Sequence, residues 1–100
     1  MSLKMTPQEI EQALESSPGW KFENNAITKK FNFLQYMDGI KFVEAVALEA
    51  EAQNHHPDLF VSYAEVNATL STHSEGGVTQ KDLDLAHAMD RIAVDYNARI

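Results

Sequence analysis

Three of the chain's four histidines stand in one constellation: Glu51 with His55, His56 and Pro57, then Tyr63, His73 and Asp82. These residue types suit proton transfer, because histidine's ordinary pKa of about 6.5 supplies both an acid and a base near neutrality. Glu51 and His55 lie four apart at the end of a helical stretch and share a face. The carboxylate is therefore expected to bond the ring, fix its tautomer and favour its charged form. His56 precedes proline, whose ring disfavours the α conformation before it, so the helix should stop at about His55 and His56 should point elsewhere. His73 ends a strand-like run just before Gly76-Gly77, where rigid strands give way to a loop that can mount reactive groups.

Other chemistries fit these residues less well. Three histidines and a glutamate could form a coordination set, yet the helical His-Glu-x-x-His signature is absent. Adjacent His55 and His56 are also poorly placed to converge on one ion, so no metal ligand is assigned. With no cysteine in the chain, and Ser71, Thr72 and Ser74 outside any nucleophile elbow, covalent catalysis has no candidate. Several residues have plain structural readings beside the chemical ones. Asp82 is the acidic half of a capping box with Thr79, Tyr63 reads as a packed strand aromatic, and Trp20 reads as a core anchor. His87 has no motif partner and is taken as surface or core, while Glu44 and Glu49 read as a solvated helix face.

The elements that must position these groups are legible around them. Thr6-Pro7-Gln8-Glu9 is a helix start with a hydroxyl cap, an early proline and a carboxylate three residues on, and Ile10, Ala13 and Leu14 form the buried stripe. After Ser16-Ser17-Pro18-Gly19, WKFENNAITKKFNF reads as two short strands joined at Asn24-Asn25, with Ile27, Phe31 and Phe33 on one face. A central helix from about Gln35 to Asn54 is expected to bury Tyr36, Ile40, Val43, Ala47 and Ala50, flanked by Met37 and Val46. LFVSYAEVNATLSTH is long enough for a second hairpin, with its turn expected near Ala64 to Asn67. Thr79-x-x-Asp82 then caps a last helix whose stripe is Leu85, Met89, Ile92 and Tyr96, with Ala86 and Ala93 beside it. The order αββαββα gives an α+β fold: a four-stranded antiparallel sheet with three helices packed on one face.

One hundred residues fit a single domain spanning 1–100, so a ligand site must lie at an edge or a subunit contact. Fifteen acidic against eight basic residues, a net charge of -7, argue against direct nucleic-acid binding. No apolar run approaches the roughly 18 residues of a membrane span, and the lack of cysteine is compatible with a reducing compartment, so a cytoplasmic location is expected.

Written as Glu-x3-His-His-Pro-x5-Tyr-x9-His-x8-Asp, the constellation resembles the pterin-4a-carbinolamine dehydratase family at every fixed position. The similarity runs from Gly19-Trp20 through AVALEAEAQNHHP and TLSTH to LDLA at 83–86. The resemblance implies the same fold and a hydro-lyase that dehydrates 4a-hydroxy-tetrahydropterin to quinonoid dihydropterin in tetrahydrobiopterin recycling. It implies a pterin substrate, no metal or other cofactor, and a homo-oligomer, dimer or tetramer. By motif position it makes His55, His56 and His73 the catalytic acid-base set, with Glu51 and Asp82 orienting them and Ser71 and Thr72 offering groups to the pterin. Many family members carry tryptophan where this chain has Leu59, so apolar contact with the pterin face is kept there and aromatic stacking is lost. Two alternatives accompany this reading: a non-catalytic dimerisation or transcription-coactivator module of the same fold, and a related, molybdopterin-linked activity.

Overall fold

A computed structural model describes residues 3–96 and 98–99 of the chain. The first helix, α1 (Pro7–Leu14), begins in the expected capping box: Thr6 N–H donates to Glu9 Oε1 at 2.8 Å, and Glu9 N–H donates to Thr6 Oγ1 at 3.2 Å. Ile10 and Leu14 are buried and Ala13 is half-buried. Strands β1 (Lys21–Glu23) and β2 (Ala26–Phe33) meet at Asn24 and Asn25, whose φ values of 52° and 61° are the left-handed pair that a tight hairpin turn demands. Trp20, just before β1, is buried, and its Nε1–H donates to Asp90 Oδ2 at 3.0 Å.

The central helix α2 spans Tyr36–Gln53, but its buried stripe is rotated from the expected one. Gly39, Phe42, Val46 and Ala50 face the core, Ile40 and Val43 are half-buried, and Tyr36, Met37 and Ala47 are exposed. Both stripes have helical spacing, so the larger ring decides. Phe42 is fully buried with centroids 4.8 Å from Phe31 and 5.1 Å from Phe33, a burial worth about 1.5–3 kcal/mol. Gly39 lets the helix lie close to the sheet, since a β-carbon there would meet the Phe33 ring at 3.4 Å.

Strands β3 (Asp58–Ser62) and β4 (Glu65–Leu70) complete an antiparallel sheet of order β1-β2-β4-β3. Its register pairs Ile27 with Leu70 and Asp58 with Thr69. The β3–β4 turn is Tyr63-Ala64, earlier than expected, and Ala64 takes a φ of 58°. Period-two alternation explains the shift: with the turn there, Val66, Ala68 and Leu70 all point to the helices. Tyr63 is therefore not a packed strand residue; it is 79% exposed and stacks on Tyr36 with centroids 6.2 Å apart. Helix α3 (Gln80–Asp95) buries Leu85, Ala86, Met89 and Ala93, as the pattern predicts, with Ile92 and Tyr96 half-buried. A short β5 (Ala98–Arg99) pairs with Asn32 and Phe33 of β2; two residues are too few to give a strand pattern in sequence. The three helices cover one face of the sheet.

Candidate active site

The end of α2 sets the site. Asn54 adopts a left-handed conformation, φ 51° and ψ 43°, and the next N–H, that of His55, reaches back to the Ala50 carbonyl at 3.0 Å. This turn swings His55 off the helix face that holds Glu51 and aims it at α3. The expected Glu51–His55 pair is accordingly replaced by two others. His55 Nε2 lies 2.5 Å from Asp82 Oδ1, and His56 Nε2 lies 2.5 Å from Glu51 Oε2. The two histidines also differ in setting: His55 is 9% exposed, whereas His56 and Glu51 both stand in solvent.

Asp82 serves the helix cap and the histidine at once. Fully buried, it accepts the Thr79 N–H on Oδ2 at 2.9 Å as the capping box requires, and the same oxygen accepts the Thr72 hydroxyl at 2.9 Å. The Thr72 and Thr79 hydroxyls are 2.8 Å apart. Among the described residues no buried side-chain polar atom lacks a partner, so the desolvation of this polar knot is compensated. The knot ties the C-terminal end of α2, the end of β4 and the N-terminus of α3 together.

His73 opens a single 3-10 turn (His73–Glu75) directly after Thr72 and is exposed. It lines a cleft of about 320 Å³ together with Ser71, Thr69, Asp58, Gly76 and the Asn24–Ala26 turn. Two bonds stitch the cleft's wall: Ser71 Oγ donates to the Asn25 carbonyl at 3.2 Å, and Asn25 Nδ2 donates to the Gly76 carbonyl at 2.5 Å. The strand register explains the gathering. Asp58 opposite Thr69, and Leu70 opposite Ile27, put the His55-His56-Pro57 corner, the His73 loop and the Asn24-Asn25 turn at one end of the sheet.

The structure thus joins His55, Asp82 and Thr72 in one cluster, His56 with Glu51 in a second, and Ser71 with His73 in the cleft wall. Leu59 is set apart from the cleft: it pairs with Ala68 on the helix side of the sheet and packs against the core. His87 is exposed on α3 and shares a 3.1 Å hydrogen bond with Ser17. A larger cleft, about 440 Å³ between Pro18-Gly19, β2 and the second half of α3, holds none of the histidines. Among the described residues no three His, Asp or Glu side chains are grouped so as to hold a metal ion. No described helix is long and apolar enough to cross a membrane. Sequence reasoning overlooked Asn25, Asp58 and the second role of Thr79. The first two carry no local signal beyond turn and strand propensity, and the third hides behind a complete helix cap.

Comparison with known proteins gives a consistent picture. Residues 3–92 match the family described as pterin 4 alpha carbinolamine dehydratase. A Sulfolobus acidocaldarius protein named "Putative pterin-4-alpha-carbinolamine dehydratase" is 42% identical over 90 residues, covering 90% of this chain and 99% of that one. A Picosynechococcus protein of the same name is 40% identical over 92 residues, covering 92% and 100%. The crystal structure of a transcriptional coactivator/pterin dehydratase from Brucella melitensis superposes with a TM-score of 0.87 at 39% identity, covering 90% of this chain and 98% of that one. A pterin dehydratase-like protein, identified as a RuBisCO assembly factor in the alpha-carboxysome, shares the fold at a TM-score of 0.61 and 24% identity over 74% of this chain and 86% of that one.

Proposed function

The chain belongs to the pterin-4-alpha-carbinolamine dehydratase family, and we propose that it dehydrates a 4a-hydroxy-tetrahydropterin by metal-free histidine acid-base catalysis. The observation that carries this reading is the separation of the motif's histidines into two kinds. His55 is buried against Asp82, while His56 and His73 stand exposed at the same end of the sheet, His73 in the wall of a cleft of ligand size. In the reaction the C4a–O bond breaks. One imidazolium gives its proton to the departing hydroxyl, which leaves as water, and one neutral imidazole takes a proton from a pterin ring N–H as the C=N bond forms. Each transfer is worth about 10²- to 10⁴-fold. His56 and His73 divide these two roles. Glu51 orients His56, and Asp82 holds His55 as part of the frame. The elimination changes no oxidation state, so no redox cofactor is required, and protonation by the imidazolium makes the hydroxyl a leaving group without a Lewis acid.

The product, a quinonoid dihydropterin, suits the recycling of tetrahydrobiopterin in the cytoplasm. A homo-oligomer, dimer or tetramer, is part of the same reading. Among the described residues β3 pairs only with β4, and its exposed Phe60 and Val61 leave an edge that a further strand could cover. A second reading, a coactivator-type docking module, is favoured by the name of the Brucella melitensis neighbour, a transcriptional coactivator/pterin dehydratase. Stopped-flow measurement of 4a-carbinolamine dehydration with purified protein tests the proposal. Acceleration over the spontaneous rate is expected, and its absence in a folded sample would leave the docking module in its place.

A further inference from the structure

The hydrogen bonds around Asp82 can each be given a direction by counting protons. Thr79 Oγ1 accepts the Lys81 N–H at 3.2 Å and touches Thr72 Oγ1 at 2.8 Å. Thr72 Oγ1 also lies 2.9 Å from Asp82 Oδ2, and a carboxylate oxygen only accepts. The single hydroxyl proton of Thr72 is therefore committed to Asp82, and the proton in the Thr79–Thr72 contact must come from Thr79. Asp82 Oδ2 then receives two donors, the Thr72 hydroxyl and the Thr79 N–H. Oδ1 is left to His55 Nε2, which must be the donor.

We propose that Thr72 and Thr79 are positioning residues, whose hydroxyls run in one direction into Asp82 and lock His55 with its proton on Nε2, so that Nδ1 is its only nitrogen open to proton exchange. The tautomer stands on the hydrogen bonds alone, while any use of it in turnover rests on the dehydratase reading. The lock is stronger than the Asp82–His55 contact by itself because it also fixes which side-chain oxygen faces the ring. Two donors hold an acceptor at the Oδ2 position. An asparagine at 82 must keep its carbonyl oxygen there and turn its NH2 toward His55. Nε2 would then have to accept, and the ring proton would move to Nδ1.

Nitrogen-15 NMR of histidine-labelled protein reads this directly, since protonated and unprotonated ring nitrogens are well separated in shift. The wild type is expected to show His55 protonated on Nε2, and a neutral ring protonated on Nδ1 would overturn the proposal. Asp82→Asn is expected to invert the tautomer. Adding Thr72→Val to Asp82→Asn leaves only the Thr79 N–H to hold the carbonyl oxygen and should let a minor population of the other tautomer appear, whereas adding Thr72→Ser should keep the inversion complete. Identical spectra for the valine and serine double variants would remove Thr72 from the lock. Two single variants make the test independent of how well any Asp82 variant folds. Thr72→Val should lower kcat about fivefold with little change in KM, as loss of one hydrogen bond in a positioning chain implies, and Thr72→Ser should restore it. A wild-type kcat in Thr72→Val would overturn the positioning role, whatever the dehydration assay shows for the unmodified protein.

Discussion

Removing the carboxylate of Asp82 should be among the most damaging single changes in the chain, and the structure sets its size. Asp82→Ala strands three donors in a fully buried place: the Thr72 hydroxyl, the Thr79 N–H and the His55 Nε2–H. The threonine hydroxyl can rotate, but the backbone N–H and the ring cannot, and each buried unsatisfied donor costs about 1–3 kcal/mol. Loss of the acidic group from the first turn of α3 adds about 0.3–1 kcal/mol. Together these give a loss of about 3–5 kcal/mol, a large share of the 5–15 kcal/mol typical of a domain. Asp82→Asn keeps an oxygen for the cap but gives up the charge and turns its NH2 toward His55, whose ring proton must move, so it should cost about 1–2 kcal/mol. Urea unfolding followed by fluorescence of Trp20, the sole tryptophan, measures both variants. An Asp82→Ala protein within about 1 kcal/mol of wild type would refute the reasoning, because it would mean that the donors find other partners. Turnover per folded molecule separates the cap from the site: Asp82→Asn should lose more activity than its unfolded fraction explains, and normal activity would return Asp82 to a purely structural role.

Glu51→Gln should lower turnover by no more than about fivefold, since both partners of the Glu51–His56 pair stand in solvent and exposed pairs are weak; steady-state kinetics at saturating pterin checks this. His87→Ala, at a histidine bonded only to Ser17 and away from the motif, should leave the dehydration rate within about twofold of wild type. Phe42→Ala should cost about 3–5 kcal/mol in chemical denaturation, because the ring it removes fills the space between Phe31 and Phe33. Exhaustive chelation should leave turnover unchanged; a stoichiometric ion whose removal abolishes activity and whose return restores it would sink the proton-transfer mechanism.

What the sequence made legible was whatever depends on near neighbours. Both capping boxes formed as their spacing required, and Asn24-Asn25 took the positive φ values of a tight turn. The face of α2 was not legible, because two stripes of that helix share the same period and only the packing of Phe42 between two strand rings selects one. The partners of His55 and His56 were misassigned for a related reason. Helical spacing alone pairs Glu51 with His55, but a left-handed Asn54 redirects the chain after the last helical turn. Asp82 looked complete as a helix cap, and nothing within three residues of it announces that its second oxygen serves a histidine 27 positions away. The three motif histidines gather at one end of the sheet while Tyr63 stands in the turn at the other, and the spacing did not reveal which histidine is buried and which are exposed.

The division of the histidines is the central claim, and it is tested most directly by the dehydration rate of His56→Ala and of His73→Ala, each measured by stopped flow on protein shown to be folded. The account predicts that either substitution lowers the rate by at least about tenfold, as loss of a proton-transfer group should. A rate equal to wild type in either variant would contradict it.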